Sequence, residues 1–484
     1  MKRALSRKYL WDKTPSAVKS GLALILEGIP TSVMLGRRFR ENLRFIKQAQ
    51  WWDIEQCQAY QLAQLQRIGR LANDKCPYYR RIFHQIGFHP AELKQIEDLT
   101  ALPTIDKQTL RQNLDEMCAV PSSSRGVDYI STGGSSGVPL YFYINASRSA
   151  IEYAYLLTSW ERAGYRLGMP MAVFRGRVVK PDRAGLRHEY DPLLRHHYYS
   201  NYHMTDENMA RYLKHVASIG ECFLHVYPSS VATLARFINR IGMKAPTNIQ
   251  GIIAESENVY PDQRKLVEEV FGCRYYSCYG HTEKLVLAAE CEYSTDYHVW
   301  PTYGYFELLD KEGRPVNTPG QRGEIVGTGF INTVMPFIRY RTGDYATYVG
   351  DHCEACGRNH VIIRDLEGRW PSGNLVARDG SYISMTAINV HDDTFARVRQ
   401  FQFYQNTPGR AVLRLVPAPG FDDSDQRRIH DNLGRKLDGR LTFTIQINDS
   451  IPLTPRGKAI YVDQRIPGIE SAEVSESQQQ TGSS

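Results

Sequence analysis

Ser131-Thr132-Gly133-Gly134-Ser135-Ser136-Gly137-Val138-Pro139 joins two short apolar runs, residues 128–130 and 140–144. The flanks predict strands, because short β-favouring runs bounded by Gly, Ser and Pro read as extended chain. The glycines let the backbone turn tightly and approach a ligand closely. Ser and Thr hydroxyls beside exposed backbone N–H groups form a concave donor surface for phosphate oxygens. No Gly-Lys-Ser/Thr closes the run, so it is not a Walker loop. Two readings stand at this point: a phosphate cradle, or a hairpin that only turns the chain.

Outward from this loop the chain alternates between strand-like and helix-like runs. Residues 1–100 form a helical lead-in, with apolar residues at helical intervals over 51–71 and again from Arg80. Strand-like runs follow at 171–174, 223–226, 249–254 and 274–277, and helical patterns at 151–160, 229–241 and 261–271. That alternation predicts an α/β layered domain. Residues 303–350 are more purely β, with turns expected at 311–320 and 327–332. After Gly368 the order strand, strand, helix, strand (401–404, 411–416, 424–437, 442–447) predicts a small α+β unit. We therefore expect a large domain over 1–367, a small mobile domain over 368–470, and a disordered Ser/Gln/Glu-rich tail over 471–484.

Composition narrows the function classes. The chain has 484 residues, 42% hydrophobic and 23% charged, as ordinary globular proteins do. Its net charge of +7 is spread along the chain. The densest basic tract, 175–195, reads as a solvated loop or a lip for an anionic ligand, with His196 and His197 solvated at its end. No nucleic-acid-binding motif accompanies it. The apolar run Leu22–Leu26 meets Glu27 and Pro30, too soon for a membrane span of about 20 residues. Nine scattered cysteines argue against a disulfide framework and for a reducing cytoplasm.

Three further segments carry chemistry. Tyr279-Gly280-His281-Thr282-Glu283 follows a strand-like run. Strand ends in α/β sheets are where ligands sit. Tyr279 can stack on a flat base, Thr282 can bond phosphate, and Glu283 can hold Mg2+. The alternative is a plain strand-to-helix connection capped by Thr282. In Arg339-Tyr340-Arg341-Thr342-Gly343-Asp344 the final carboxylate can take two ribose hydroxyls, or can pair with Arg341 in a charged turn. Thr454-Pro455-Arg456-Gly457-Lys458 puts one compact cation on a Gly/Pro loop, able to reach a phosphate or simply to face water.

These four segments, in this order, resemble the adenylate-forming superfamily of acyl–CoA synthetases. The resemblance is to the phenylacetate–CoA ligase family and its CapK-like branch for capsule polysaccharide biosynthesis, and runs from about Trp51 to Val462. Pro77-Tyr78-Tyr79-Arg80, Tyr227-Pro228-Ser229 and Ser256-Glu257 are further family-like phrases. The resemblance implies a large adenylation domain of layered sheets and helices and a small α+β lid. It implies ATP-dependent activation of a small, possibly aryl, carboxylic acid as its acyl-AMP, then thioester formation with CoA. Ser131, Thr132, Gly133, Gly134, Ser135, Ser136 and Gly137 then wrap the ATP phosphates. Tyr279, with Gly280 and His281, faces adenine; Thr282 meets the α-phosphate and Glu283 binds Mg2+. Asp344 takes the ribose, with Arg364 a nearby alternative, and Glu257 and Arg369 complete the nucleotide site. Lys458 bridges the attacking carboxylate and the α-phosphate. His225, Tyr227 and Ser256 are candidates for the acyl pocket.

One departure bears on the second step. Trp370-Pro371-Ser372 stands where the family has acidic hinge residues, and proline fixes φ. Two other readings follow: adenylation alone, with transfer to a non-CoA acceptor in polysaccharide biosynthesis, or a nucleotide-binding scaffold without catalysis.

The cysteines carry one more pattern. Cys291 and His298 lie seven apart, and Cys353 and Cys356 form a C-x2-C pair. Three thiolates and an imidazole make a closed, structural Zn2+ site; a reduced pair on a turn is the alternative. The resemblance favours zinc, because similar sets occur in some family members.

Overall fold

The protein is described by a computed structural model over residues 28–131, 140–177, 179–259, 261–367, 374–384, 388, 394–395, 397–417, 420–451 and 461–467. Thr132 to Gly137, Arg369, the Trp370-Pro371-Ser372 hinge, Lys458 and the tail from 471 lie outside the described residues.

The lead-in is helical, as its periodicity predicts. Helix α1 (Arg37–Ala49) is followed by α2 (Ile54–Lys75) and α3 (Pro77–Ile86). The start of α2 is fixed by its cap: Asp53 accepts the Gln56 N–H at 2.7 Å, and the Gln56 side chain accepts the Asp53 N–H at 3.2 Å. The loop quoted above is flanked by β1 (Val127–Ser131) and β2 (Tyr141–Asn145), an antiparallel pair in which Ser131 faces Tyr141. Helix α4 (Arg148–Glu161) then packs Ala154 and Leu157 against Phe39 and Ile46 of α1.

A large sheet carries the site. Its first half holds β3 (Met171–Phe174), β4 (His188–Asp191), β5 (His196–Tyr199), β6 (Cys222–Val226), β7 (Ile249–Glu255) and β8 (Tyr275–Gly280). Strands β5, β3, β6, β7 and β8 run parallel in that spatial order, with β4 antiparallel on the edge. All of β3 and β6 and nearly all of β7 are buried, which is why they read as continuous apolar runs. The connecting helices are α5 (Asp206–Ser218), α6 (Pro228–Ile241) and α7 (Pro261–Phe271). Pro228 opens α6 with its φ already helical, and Gly242 closes it at φ +67°.

The second half is antiparallel. From β8 the order continues β9 (Leu287–Ala289), β10 (Tyr297–Val299), β14 (Ile362–Glu367), β13 (Tyr340–Gly350), β12 (Arg322–Gly329) and β11 (Gly304–Leu309). The turn expected over 327–332 begins later than predicted, because Gly327 and Gly329 belong to β12. Leu285 passes over them: a Cβ at Gly329 would lie 2.6 Å from Leu285 Cδ2. These glycines serve close packing, and the same letters in sequence read as a turn.

Residues 374–467 build a separate core. Strands β15 (Asn374–Val376) and β16 (Tyr382–Ser384) pair, while β17 (Val398–Thr407), β18 (Arg410–Pro417), β19 (Thr442–Ile447) and β20 (Val462–Gln464) form a four-stranded sheet. Helix α8 (Asp423–Leu437) packs Ile429, Leu433 and Leu437 against Phe403, Leu413 and Leu415. This is the α+β unit that the strand–strand–helix–strand order predicts. Arg187 Nη2 donates to Asp438 at 2.8 Å, linking the two parts of the chain.

Tract 175–195 is a solvated loop only in part: residues 180–184 are exposed, and its other described residues are half-buried or buried apart from Gly176. Arg175 lines the main cavity, β4 begins at His188, and His196 is buried at 3% exposure. The strands here are made of His, Tyr, Glu and Asp. Without apolar alternation the extended pattern is invisible in sequence.

Candidate active site

Strands β6, β7 and β8 are parallel neighbours, and their C-terminal ends open onto one cavity of about 990 Å³. Loops at such ends converge because parallel strands all finish on the same side. Tyr227 follows β6, Ser256 and Glu257 follow β7, and Tyr279 and Gly280 end β8 with His281, Thr282 and Glu283 next; all line this cavity. Asp344 of β13 and Arg364 of β14 line it from the antiparallel half. Ten residues singled out from sequence thus share one wall system.

Local bonds fix the segment after β8. The Lys284 N–H donates to the His281 carbonyl at 3.1 Å, closing a turn between two strands. No helix starts there, so Thr282 is not a helix cap. The Val286 N–H donates to His281 Nε2 at 3.2 Å. Nε2 is therefore the bare nitrogen, and Nδ1 carries the proton toward Glu283 Oε2, 3.2 Å away. Tyr340 donates to the other oxygen of Glu283 at 3.3 Å. Glu283 is 5% exposed and held at both oxygens, an aimed carboxylate at a cavity wall. Carboxylate oxygens are the ligands that Mg2+ prefers.

Tyr279 and Asp344, 65 residues apart, meet directly. The phenol donates to Asp344 Oδ2 at 2.9 Å. Asp344 stands just after Gly343 at φ +74°, and its N–H donates to Thr342 Oγ1 at 3.1 Å. Arg341 takes Glu324 as its ion-pair partner. Arg364 pairs with Asp296 at 2.9 Å, both on the cavity wall.

Beyond Tyr227 the wall is ionic. Arg175 donates to Glu255 at 2.8 Å and to Ser256 Oγ at 2.7 Å, and its guanidinium lies 5.2 Å from the centre of the Tyr227 ring. Trp160 Nε1 donates to Glu255 at 2.8 Å. Burial alone raises the Glu255 pKa, but Arg175 and His225 outweigh it and hold the carboxyl well below its ordinary range. Burial, then Arg175, push the His225 pKa down, and Glu255 opposes them. His225 does not line the cavity; it bonds Arg175 and Glu255, which do. Sequence reading missed Arg175, Glu255 and the Lys284–Glu152 ion pair, all on the wall. Their partners lie far apart in the chain, and no local pattern joins them.

The Glu255 pair gives a pH prediction. A carboxyl depressed on folding adds stability that is present above its unfolded value near 4.5 and is lost as pH falls. Urea-unfolding free energies of the wild type should therefore drop between about pH 5 and pH 3. Glu255→Gln should flatten that drop, and an unchanged slope would remove the carboxylate from this role.

The Cys/His set also assembles. Cys291, His298, Cys353 and Cys356 each offer one ligand atom, all within 4.8 Å of one another. His298 Nδ1 donates to the Asp296 carbonyl at 3.0 Å, so Nε2 faces Cys356 Sγ at 3.4 Å with a free lone pair. Burial pushes the Cys291 thiol up to about 11, opposed by the N–H groups of Tyr293 at 3.4 Å and Ser294 at 3.2 Å that its Sγ accepts. The donor set fits a tetrahedral ion. No helix among the described residues is long and apolar enough to cross a membrane.

Residues 375–465 match the CapK C-terminal domain family. Protein CapK of Staphylococcus aureus is 25% identical over 374 residues, covering 75% of this chain and 79% of that one. A phenylacetate–coenzyme A ligase of Thermus thermophilus is also 25% identical, covering 65% and 71%. Among solved structures, a 2-hydroxyisobutyryl-CoA ligase holding its acyl-AMP and CoA matches with a TM-score of 0.55 and 20% identity, over 86% of this chain and 92% of that one. This last likeness is one of fold.

Proposed function

As a homologue of CapK and the phenylacetate–coenzyme A ligases, this chain has the fold of the adenylate-forming enzymes, and we propose that it activates a carboxylic acid with ATP and passes the acyl group to CoA. The observation that carries the reading is the meeting of Tyr279, Glu283 and Asp344 at one cavity, bonded as described above. The relatives named phenylacetate–coenzyme A ligase support the second step.

The roles follow from chemistry. The acid's carboxylate attacks the α-phosphorus and pyrophosphate leaves, so charge builds on the phosphoryl oxygens. Donors fixed in advance lower that barrier most. Tyr279 faces adenine, and Asp344, oriented by the Tyr279 hydroxyl, takes the ribose. Thr282 meets the α-phosphate, Ser131 to Gly137 surround the phosphates, and Glu257 belongs to the nucleotide site. Glu283 would hold Mg2+, which neutralises phosphate charge when bound. Lys458, carried by the small domain, meets the α-phosphate and the attacking carboxylate. Arg369 and Arg364 flank the nucleotide. Tyr227 and Ser256 line the acyl end, and His225 acts there through Arg175. The division into 1–367 and 368–470 fits the separate core of the later residues. We place the protein in the cytoplasm, where its nine unpaired cysteines suit a reducing environment.

ATP–pyrophosphate exchange over a panel of aryl, hydroxy and fatty acids tests the first step, and CoA-dependent turnover tests the second. Exchange with no CoA-dependent turnover favours the adenylation-only reading, which Pro371 at the hinge position motivates. No exchange with any acid would point to a substrate outside the panel or a protein partner, and would favour the nucleotide-binding scaffold.

We further propose that Cys291, His298, Cys353 and Cys356 hold a structural Zn2+. Such sites contribute folding free energy directly. Cys353→Ser should lose one zinc per chain and melt at lower temperature. Equal metal content and equal melting would remove the site.

A further inference from the structure

We propose a second metal site, formed by His188, His197 and His215, that binds a divalent transition-metal ion of the zinc type. In the β4–β5 hairpin His188 faces Tyr199 and Tyr190 faces His197. Alternation along both strands then puts His188, Tyr190, His197 and Tyr199 on one face, with the two histidines diagonal neighbours. Helix α5 supplies His215: its ring centre lies 4.3 Å from that of His188 and 5.8 Å from that of His197. One ring nitrogen from each of the three falls within 4.8 Å of the others.

The bonding suits a metal. His188 Nε2 and His197 Nδ1 are 3.0 Å apart. Two nitrogens bound to one zinc at about 2.0–2.1 Å each sit only slightly farther apart. Here a proton bridges the pair. An ion can replace it once the donor ring moves that proton to its other nitrogen, with no net charge lost from the protein. Tyr199 Oη lies 2.6 Å from His215 Nδ1 and orients that ring, as outer-shell partners do at metal sites. Asp182, whose carboxylate is fixed by the N–H groups of Ala184 and Leu186, acts electrostatically on His188 and His215 and would offset the added charge. All three histidines are half-buried, so an ion can enter and a fourth position can hold water. Imidazole sets of this kind prefer zinc, nickel and copper to magnesium or calcium. This site shares no residue with the Cys/His set or with the cavity.

The test uses the full chain, stripped with chelator and titrated with Zn2+ by calorimetry. His197→Ala and His215→Ala should each lose one equivalent relative to the wild type, with far-UV circular dichroism unchanged. Cys353→Ser should lose a different equivalent, so the two losses add in the double variant. A measurement on the unaltered chain stands beside these. Zn2+ should protect His188, His197 and His215 from carbethoxylation by diethyl pyrocarbonate, read by peptide mass. Full stoichiometry in both histidine variants overturns the site, and so does equal carbethoxylation with and without Zn2+.

Discussion

Lys458→Ala is expected to slow ATP–pyrophosphate exchange by about 10²–10³-fold, the effect of removing one preorganised donor from a transition state that gathers charge. ATP binding should survive, because the nucleotide contacts proposed above other than Lys458 and Arg369 come from the large domain. The loss therefore falls on kcat. Glu283→Gln separates the two roles. It keeps the shape of the side chain but removes the charge that a divalent cation needs, so it should raise the KM for Mg·ATP as well as slow the reaction. His281 and Tyr340 still bond the amide, so the fold is retained. Exchange that persists in Lys458→Ala would show that another cation meets the α-phosphate. An unchanged KM in Glu283→Gln would move the metal elsewhere.

Arg339→Met is expected to cost about 3–5 kcal/mol of stability, the range for breaking one half of a buried ion pair. Arg339 is 5% exposed and donates to both oxygens of Glu307, at 2.9 and 3.2 Å. It also donates to the carbonyls of Thr100 and Leu102, tying the helical lead-in to the antiparallel half of the sheet. Burial raises the Glu307 pKa, and Arg339 opposes that rise. Without the arginine the buried carboxyl has no cation and three groups lose their donor. Arg339→Met/Glu307→Leu should recover much of the loss, since an apolar pair of similar volume is tolerated where a lone charge is not. Urea unfolding of the two variants measures this. A loss below about 1 kcal/mol in the single variant would mean the pair is not buried in solution. Arg339 stands five residues before Asp344 in one phrase of sequence, yet one is a structural tie and the other lines the cavity.

Much of the fold was legible in the chain. Helix α7 (Pro261–Phe271) and strand β3 (Met171–Phe174) fall at the expected bounds. Buried parallel strands are apolar throughout, and prolines and glycines mark the helix ends. The candidate site was legible as two of its segments, 279–283 and 339–344, because Gly, Thr, Tyr and acidic residues cluster locally there. Misreadings came where polar residues do a core residue's work. Strand β5 begins with His196 and His197, which resembled a solvated loop. Gly329 resembled a turn and serves the passage of Leu285.

The sequence by itself determined the order of elements, the α/β class and the local chemistry of each motif, because these depend on neighbours along the chain. Only the tertiary structure decided who meets whom. It set the Tyr279 hydroxyl on Asp344 across 65 residues, lodged Arg175 between Glu255 and Ser256, and turned three histidines from two strands and a helix toward one point. Such pairings depend on strand order and packing, and no spacing along a chain encodes them.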